Sequence, residues 1–192
     1  MLPRINPTQT KSWKKLEELF QEKASFSIKE AFERKEKAMN RMPSVGKGSV
    51  TTRVNVKDGM TCEIEEGDWR LTADMSEKNG GNNKGPTPGT FGRAAFGSCL
   101  AMTYIMFASK MEVAIESLEI EVQVDYDARG MYGFEDVKPG YSEIRYNVKV
   151  ESAASEQELM KVLDKADKHS SYLDVFANET KVKRTVELTI SN

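Results

Sequence analysis

The chain is poor in residues that build metal centres, since it has only 2 cysteines and 1 histidine among 192 residues. These side chains cannot complete a four-ligand zinc site without carboxylates, and they show no C-x-x-C or H-x-x-x-H spacing. We therefore expect no bound metal or other cofactor. In a reducing compartment, two such thiols stay reduced unless they are catalytic or redox-sensing.

A strong excess of charge is also absent, with 28 Lys and Arg against 30 Asp and Glu. Nucleic acids and anionic membranes are bound through clustered basic residues, so we expect neither partner. The N-terminus lacks the apolar stretch of a secretory signal, which predicts a cytoplasmic location. The longest apolar run within Arg93–Lys110 has 16 uncharged residues, which is short of the ~20 that span a bilayer and indicates a buried helix.

The charge is unevenly distributed and divides the chain in two. Residues 1–47 carry 11 Lys and Arg against 6 Asp and Glu, whereas the remainder is acidic. Two amphipathic helices are predicted in this basic segment, the second starting at a capping box from Ser27 to Glu30. The first would bury Trp13, Leu16, Leu19 and Phe20. We expect an N-terminal helical extension and linker over 1–47, followed by one domain over 48–192.

The pattern over 48–192 predicts the order β-β-β-α-β-β-α-β, an α+β fold with an antiparallel sheet. A three-stranded meander is indicated by the alternation in "SVTTRVNV", "MTCEIEE" and "WRLTADM". The central helix begins at Thr87 and Pro88, and the second at the capping box Ser155–Glu158. Two long strands separate the helices, and "KVKRTVELTI" is the predicted final strand.

Cys99 lies in the middle of the central helix, in "RAAFGSCLAMTYIMFASK". Its own-helix neighbours Phe96, Met102 and Met106 are apolar, which raises the pKa of a thiol and favours a packing role. Gly97 is costly inside a helix and indicates a close neighbour. Because the helix is apolar nearly all round, a dimer that buries it is a reasonable inference. Cys62 shares a strand face with apolar residues, which favours packing there too.

Four blocks together resemble the OsmC/Ohr family of thiol-dependent peroxidases and their OsmC-like relatives. They are "LTADM" with its GG-containing loop, "GPTPGTFGRAAFGSCLAMT", "LEIEVQVDYDARGMYGF" and "VKPGYSEIRYNVKVESAASEQELMKVLDKADKHSS". The resemblance covers roughly residues 48–192. It implies an OsmC-like fold, in which antiparallel sheets enclose a long central helix within an intertwined homodimer.

The resemblance also implies roles for particular residues. In the peroxidase members, the central-helix cysteine, here Cys99, attacks an organic hydroperoxide, and a second cysteine resolves the product as a disulfide. This chain has Ser170 or Ser171 at the resolving position, and Lys57 is the possible cation at the position of the family's activating arginine. Arg53 and Arg93 are other candidate cations.

Three further residues bear on this reading. Gly89 stands where the family has a glutamate. Cys62 is an alternative resolving thiol if it comes within disulfide distance of the central-helix cysteine. His169 is either a proton donor beside the serines or a solvated residue at a helix end.

Two hypotheses follow for function. The first is an OsmC-like, cysteine-dependent redox protein of the oxidative stress response, which reduces or senses a small-molecule hydroperoxide and depends on an external thiol reductant. It would be a peroxidase without the usual resolving cysteine. The second is a non-enzymatic binder of a lipid-like small molecule in an apolar cleft at the dimer interface.

Overall fold

A computed structural model describes residues 28–190 of the chain. The described part opens with a helix over 28–41, named α1 here, and a short 3₁₀ turn, Pro43–Gly46. The predicted first helix, with Trp13, lies outside the described residues. So does Ser27, the predicted cap of the second helix, although the helix that it was expected to precede is present.

The predicted meander is confirmed as a three-stranded antiparallel sheet. Its strands are β1 (Arg53–Asp58), β2 (Thr61–Glu66) and β3 (Trp69–Ala73). β2 is central, and Cys62 pairs with Val56 on one side and Ala73 on the other. Many apolar side chains of this sheet are exposed, because no other element in the described part of the chain covers its two outer strands.

A buried carboxylate organises the loop between β3 and the central helix. Asp74 accepts hydrogen bonds from the Thr61 hydroxyl at 2.9 Å and from the backbone N–H groups of Met75 at 2.7 Å, Asn82 at 3.2 Å and Lys84 at 3.1 Å. Burial raises the pKa of Asp74, but these bonds outweigh it and leave the pKa below its usual value. The Gly/Asn-rich loop is therefore fixed, and it leads the chain into the next helix.

The central helix, α2, spans Pro88–Lys110 and begins as predicted. The Thr87 side chain accepts a hydrogen bond from the Thr90 N–H, and proline occupies the first turn, where its missing N–H is harmless. By length and composition alone α2 could cross a bilayer, but one of its faces forms the core of the domain. A Cβ at Gly97 would lie 3.2 Å from Val122, so this glycine allows the close approach that its sequence position indicated.

Two long antiparallel strands, β4 (Ser117–Tyr126) and β5 (Tyr141–Glu151), pack against α2. The short helix α3 (Ala128–Met131) lies in the loop between them. Helix α4 (Glu156–Asp167) starts at the predicted capping box, and α5 (Ser171–Ala177) follows it. The core joins α2 to α4, and its buried residues are Phe96, Leu100, Tyr104, Phe107, Ala108, Val162 and Ala166.

The predicted final strand is wrong for the single chain. Residues 178–190 form neither helix nor strand, and Val182, Leu188 and Ile190 are 88%, 82% and 84% exposed. An alternating sequence forms a strand only when a neighbouring strand supplies hydrogen-bond partners. In the described chain no strand pairs with this segment.

Candidate functional site

Cys99 faces the start of α5, where two serines approach its sulfur. The Cys99 Sγ lies 3.5 Å from the Ser171 Oγ and 3.7 Å from the Ser170 Oγ. Ser170 is buried and caps α5 by accepting a hydrogen bond from the Leu173 N–H. The structure therefore brings Ser170 and Ser171, which lie more than seventy residues further along the chain, into contact with the central-helix thiol.

These contacts change the acidity of the thiol. Partial burial has the largest single effect and raises the pKa of Cys99, because it disfavours the thiolate. Hydrogen bonds from the Ser171 hydroxyl, the Tyr172 N–H and the Ser170 hydroxyl act in the opposite direction, and they leave the pKa below its ordinary value. The expectation of a raised pKa, taken from neighbours on the same helix, was wrong because the donors come largely from α5.

Cys99 opens onto a groove of about 1060 Å³. One wall is the face of α2 that runs from Ala95 to Lys110, and the opposite wall is α1. Its α2 wall is largely apolar, and Met102 and Met106 are 67% and 39% exposed there. The arrangement places a partly exposed thiol of lowered pKa beside a groove large enough for a small organic molecule.

His169 lies at the edge of the same groove and belongs to the site region. Its ring stacks on Phe107, with the ring centroids 5.3 Å apart. The residue is largely exposed, as expected for a side chain near the end of α4. Among the described residues, no hydrogen bond joins the His169 ring to Cys99, and the ring contact is the stacking on Phe107.

The remaining candidate residues lie elsewhere in the single chain. Lys57 is on β1, forms an ion pair with Glu63 at 3.2 Å and does not line the groove. Cys62 is on β2, is a free thiol and approaches the Met60 carbonyl at 3.6 Å. No disulfide joins Cys62 to the other thiol in the part of the chain that the structure describes.

The other residues discussed with the family resemblance lie in the first part of α2, for Gly89 and Arg93, or on β1, for Arg53. Arg93 is on α2 beside Gly89, and its guanidinium donates to the Thr90 hydroxyl at 3.4 Å. Arg53 pairs with Glu65 in the register of the three-stranded sheet. Neither arginine lines the groove beside the central-helix thiol.

Sequence reasoning missed two parts of the site. One is the Tyr172 N–H, since a backbone donor leaves no trace in residue identity. The other is α1, a helix of the predicted N-terminal extension, which forms a wall of the groove. The exposed charge and apolar stripe of α1 indicated a partner for the helix, but not that the partner would be the thiol-bearing face of α2.

The fold and site together define an α+β protein with a central helix that carries a partly exposed, hydrogen-bonded thiol. A family model described as "OsmC-like protein" matches residues 81–185, which include α2, α4 and α5. The chain belongs to the OsmC-like family. No curated protein matches it significantly.

Solved structures show the same fold at low sequence identity. An OsmC-like protein from Mycoplasma pneumoniae is 17% identical, with a TM-score of 0.59 over 68% of this chain and 88% of that one. A putative osmotic stress induced and detoxification response protein from Psychrobacter arcticus is 15% identical, with a TM-score of 0.53 over 67% and 88%. An organic hydroperoxide resistance protein from Elizabethkingia anophelis is 11% identical, with a TM-score of 0.52 over 67% and 87%.

Proposed function

We propose that this chain is a one-cysteine, thiol-dependent redox protein of the oxidative stress response, in which Cys99 reduces an organic hydroperoxide. The observation that carries the proposal is the set of hydrogen-bond donors from α5 that lowers the pKa of Cys99 at the mouth of an apolar groove. A thiolate is the reactive form of cysteine, and a partly exposed one is accessible to a substrate. Family membership and the hydroperoxide resistance protein among the structural neighbours agree with this chemistry.

The proposed reaction begins with the Cys99 thiolate attacking the terminal oxygen of the hydroperoxide. The S–O bond forms while the O–O bond breaks, and the departing alkoxide takes a proton and leaves as an alcohol. The sulfur is thereby oxidised to a sulfenic acid, and the hydroperoxide is reduced. An external thiol then attacks the sulfenic sulfur, which releases water and leaves a mixed disulfide. A second thiol cleaves that disulfide and restores the Cys99 thiol.

Ser170 and Ser171 explain why the reductant must come from outside the site. Both hydroxyl groups lie beside the Cys99 sulfur, the resemblance assigns the resolving position to Ser170 or Ser171, and a hydroxyl cannot form a disulfide. Their hydroxyl groups would instead donate to the oxygen-bearing sulfur after the first step. A reducing compartment such as the cytoplasm would supply the external thiol, which is consistent with the proposed cytoplasmic location.

The decisive test compares hydroperoxide consumption by the wild-type protein with that by two cysteine variants. We expect consumption of cumene hydroperoxide in the presence of a dithiol, its loss in Cys99→Ser and its retention in Cys62→Ser. Dimedone labelling followed by mass spectrometry should place the sulfenic acid at Cys99. Unchanged consumption by the Cys99→Ser variant would show that the chemistry lies elsewhere or is absent.

A second candidate function uses the same groove without a reaction at Cys99. Its volume of about 1060 Å³ and its apolar α2 wall suit a lipid-like molecule. Mass spectrometry of the protein as purified separates the two functions. A carried ligand with an unmodified Cys99 favours the binder, whereas an oxidised Cys99 favours the redox protein.

A homodimer is part of the proposal, and exposed apolar surface away from the groove supports it. On the three-stranded sheet, Val56 and Trp69 are 68% and 75% exposed, and residues 181–190 present a further alternating apolar edge. Contiguous exposed apolar surface is typical of protein interfaces. Light scattering should give twice the chain mass, and Leu188→Asp with Ile190→Asp should lower it, whereas Lys183→Asp, on the other face of the alternation, should not.

A further inference from the structure

A half-buried carboxylate at the end of α4 is held by two tyrosines that the proposed reaction does not use. The Tyr104 hydroxyl donates to Asp167 Oδ1 at 2.6 Å, and the Tyr146 hydroxyl donates to Oδ2 at 3.3 Å. Tyr104 is a buried residue of α2, whereas Tyr146 lies on β5. Each oxygen of Asp167 therefore receives a hydrogen bond from a different element of the fold.

Both tyrosines keep their protons and remain donors. Burial has the largest effect on each and raises the pKa of Tyr104 and of Tyr146, because it disfavours the charged phenolate. The negative charge of Asp167 raises both pKa values further. Since a hydrogen bond is directional and apolar packing is not, the two hydroxyl groups fix where the Asp167 carboxylate lies.

Asp167 is the last residue of α4, and the turn that follows it leads to the donors of the Cys99 site. The Asp167 carbonyl accepts a backbone hydrogen bond from the Ser170 N–H at 3.3 Å. Ser170 is buried and caps α5, whose first two residues are Ser171 and Tyr172. Because the turn between Asp167 and Ser170 is short, a displacement of the carboxylate would move the start of α5.

The other end of α5 is anchored separately. The Phe176 ring meets the ring of Phe96, a buried residue of α2, edge to face with the centroids 5.4 Å apart. This aromatic contact keeps α5 on the domain when the contacts of Asp167 are weakened. Loss of a tyrosine hydroxyl should therefore displace the first turn of α5 without detaching the helix.

The same helix carries the thiol and one of the tyrosines. Tyr104 follows Cys99 by five residues on α2, which is about 7.5 Å along the helix axis. Tyr104 and Tyr146 do not line the groove onto which Cys99 opens. An effect of either hydroxyl on the thiol must therefore pass through other residues, and Asp167 with α5 provides the connection.

We propose that Tyr104 and Tyr146 are positioning residues, which hold the first turn of α5 through Asp167 so that its donors reach the Cys99 sulfur. The inference rests on the proposed function, since it concerns the donors to the same reactive thiol. It assigns a role in the site to a buried cluster that contacts neither the substrate groove nor the sulfur.

The test measures the rate of iodoacetamide alkylation of Cys99 against pH in a Cys62→Ala background. Tyr104→Phe should move the rise in rate to higher pH, because the thiolate forms as the pH rises through the pKa and a displaced donor stabilises it less. The rate below the pKa should fall about threefold, since the donors are displaced and not removed. Tyr146→Phe should act in the same direction by a smaller factor, because its hydrogen bond is longer.

Ala108→Gly is the control matched for stability. Ala108 is buried on α2 and does not line the groove, and a glycine inside a helix destabilises a protein to an extent similar to the loss of one hydrogen bond. Its pH profile should follow that of the parent, although its melting temperature falls. None of these substitutions changes the titratable groups that line the groove, which are Lys35, Glu36, Lys110, Lys165, His169 and Tyr172.

A double variant tests the connection through α5. If Tyr104 acts by positioning the α5 donors, its effect is smaller once one of them is gone. The fall in rate for Tyr104→Phe combined with Ser171→Ala should therefore be less than the product of the two single falls. A fall equal to that product, or a Tyr104→Phe profile that coincides with that of Ala108→Gly, would overturn the inference.

Hydroperoxide consumption separates this inference from the proposed function. If the wild-type protein consumes cumene hydroperoxide through Cys99 while Tyr104→Phe and Ala108→Gly share one alkylation profile, the positioning role fails and the proposed function stands. If no hydroperoxide is consumed while Tyr104→Phe alone moves the profile to higher pH, the peroxidase proposal fails and the positioning role stands.

Discussion

Removal of the Ser171 hydroxyl should make Cys99 less reactive at low pH. Ser171 provides the shortest hydroxyl contact with the sulfur, at 3.5 Å, and its donation stabilises the thiolate. Hydrogen bonds to charged groups contribute about 1.5–3 kcal/mol, but this contact is long and the serine is exposed, so we expect roughly 1 kcal/mol. Since 1.4 kcal/mol is a factor of ten in an equilibrium constant, the thiolate fraction below the pKa should fall about fivefold in Ser171→Ala.

The assay is the rate of iodoacetamide alkylation as a function of pH in a Cys62→Ala background. The thiolate forms as the pH rises through the pKa, so a lost donor moves the rise in rate to higher pH. At pH values above the pKa of both proteins the two rates should converge, because the thiol is then fully ionised in each. This convergence distinguishes a change in the pKa of Cys99 from a change in the accessibility of its sulfur to iodoacetamide.

Ser98→Ala is the matched control, because its hydroxyl donates to the Ala95 carbonyl at 3.3 Å and not to the sulfur. Its rate profile should follow that of the parent. Ser170→Ala is a less clear test, since Ser170 also caps α5 and its loss costs about 1 kcal/mol of stability. If Ser171→Ala and Ser98→Ala both reproduce the parental profile, the hydrogen bonds from α5 do not control the acidity of Cys99.

Three substitutions away from the thiol test the packing of α2. Tyr104→Phe removes a buried hydroxyl that donates to Asp167 at 2.6 Å, and urea denaturation should show a loss of about 1–2 kcal/mol, whereas Tyr172→Phe, at an exposed residue, should change little. Gly97→Val should destabilise the protein by about 1–3 kcal/mol, because even a Cβ there lies 3.2 Å from a β4 side chain. Gly92→Ala should instead stabilise it by about 0.5–1 kcal/mol, because a Cβ at that helical position meets nothing within 4 Å. A stable Gly97→Val variant would contradict the close packing of α2.

Elements that depend on local signals could be predicted from the sequence. Thr87 and Pro88 start α2, and Ser155 with Glu158 starts α4, because a cap needs only residues within one turn of each other. The three-stranded meander was predictable for a similar reason, since its strands are joined by short turns. The resemblance to the family supplied the overall fold, which the family model and the solved structures confirm.

Features that depend on distant contacts could not be predicted. The acidity of Cys99 depends on Ser171 and the Tyr172 N–H, whose position is set only when α5 packs on α2. The strand expected over 181–190 needs a neighbouring strand that residues 28–190 do not provide. An alternating pattern predicts which side chains share a face of a strand, but it does not predict which other part of the protein packs against that face.

The two roles of Ser170 have a kinetic consequence. Its oxygen accepts a hydrogen bond from the Leu173 N–H, which leaves its proton available to the Cys99 sulfur at 3.7 Å. A Ser170→Cys replacement would put a second sulfur at that place and weaken the helix cap. In that variant, the second thiol would reduce the Cys99 sulfenic acid in a first-order step within one molecule. That step would replace the proposed reaction with an external thiol, whose rate depends on the thiol concentration. In the proposed reaction, natural Ser170 would therefore make the recovery of Cys99 depend on the concentration of the external thiol.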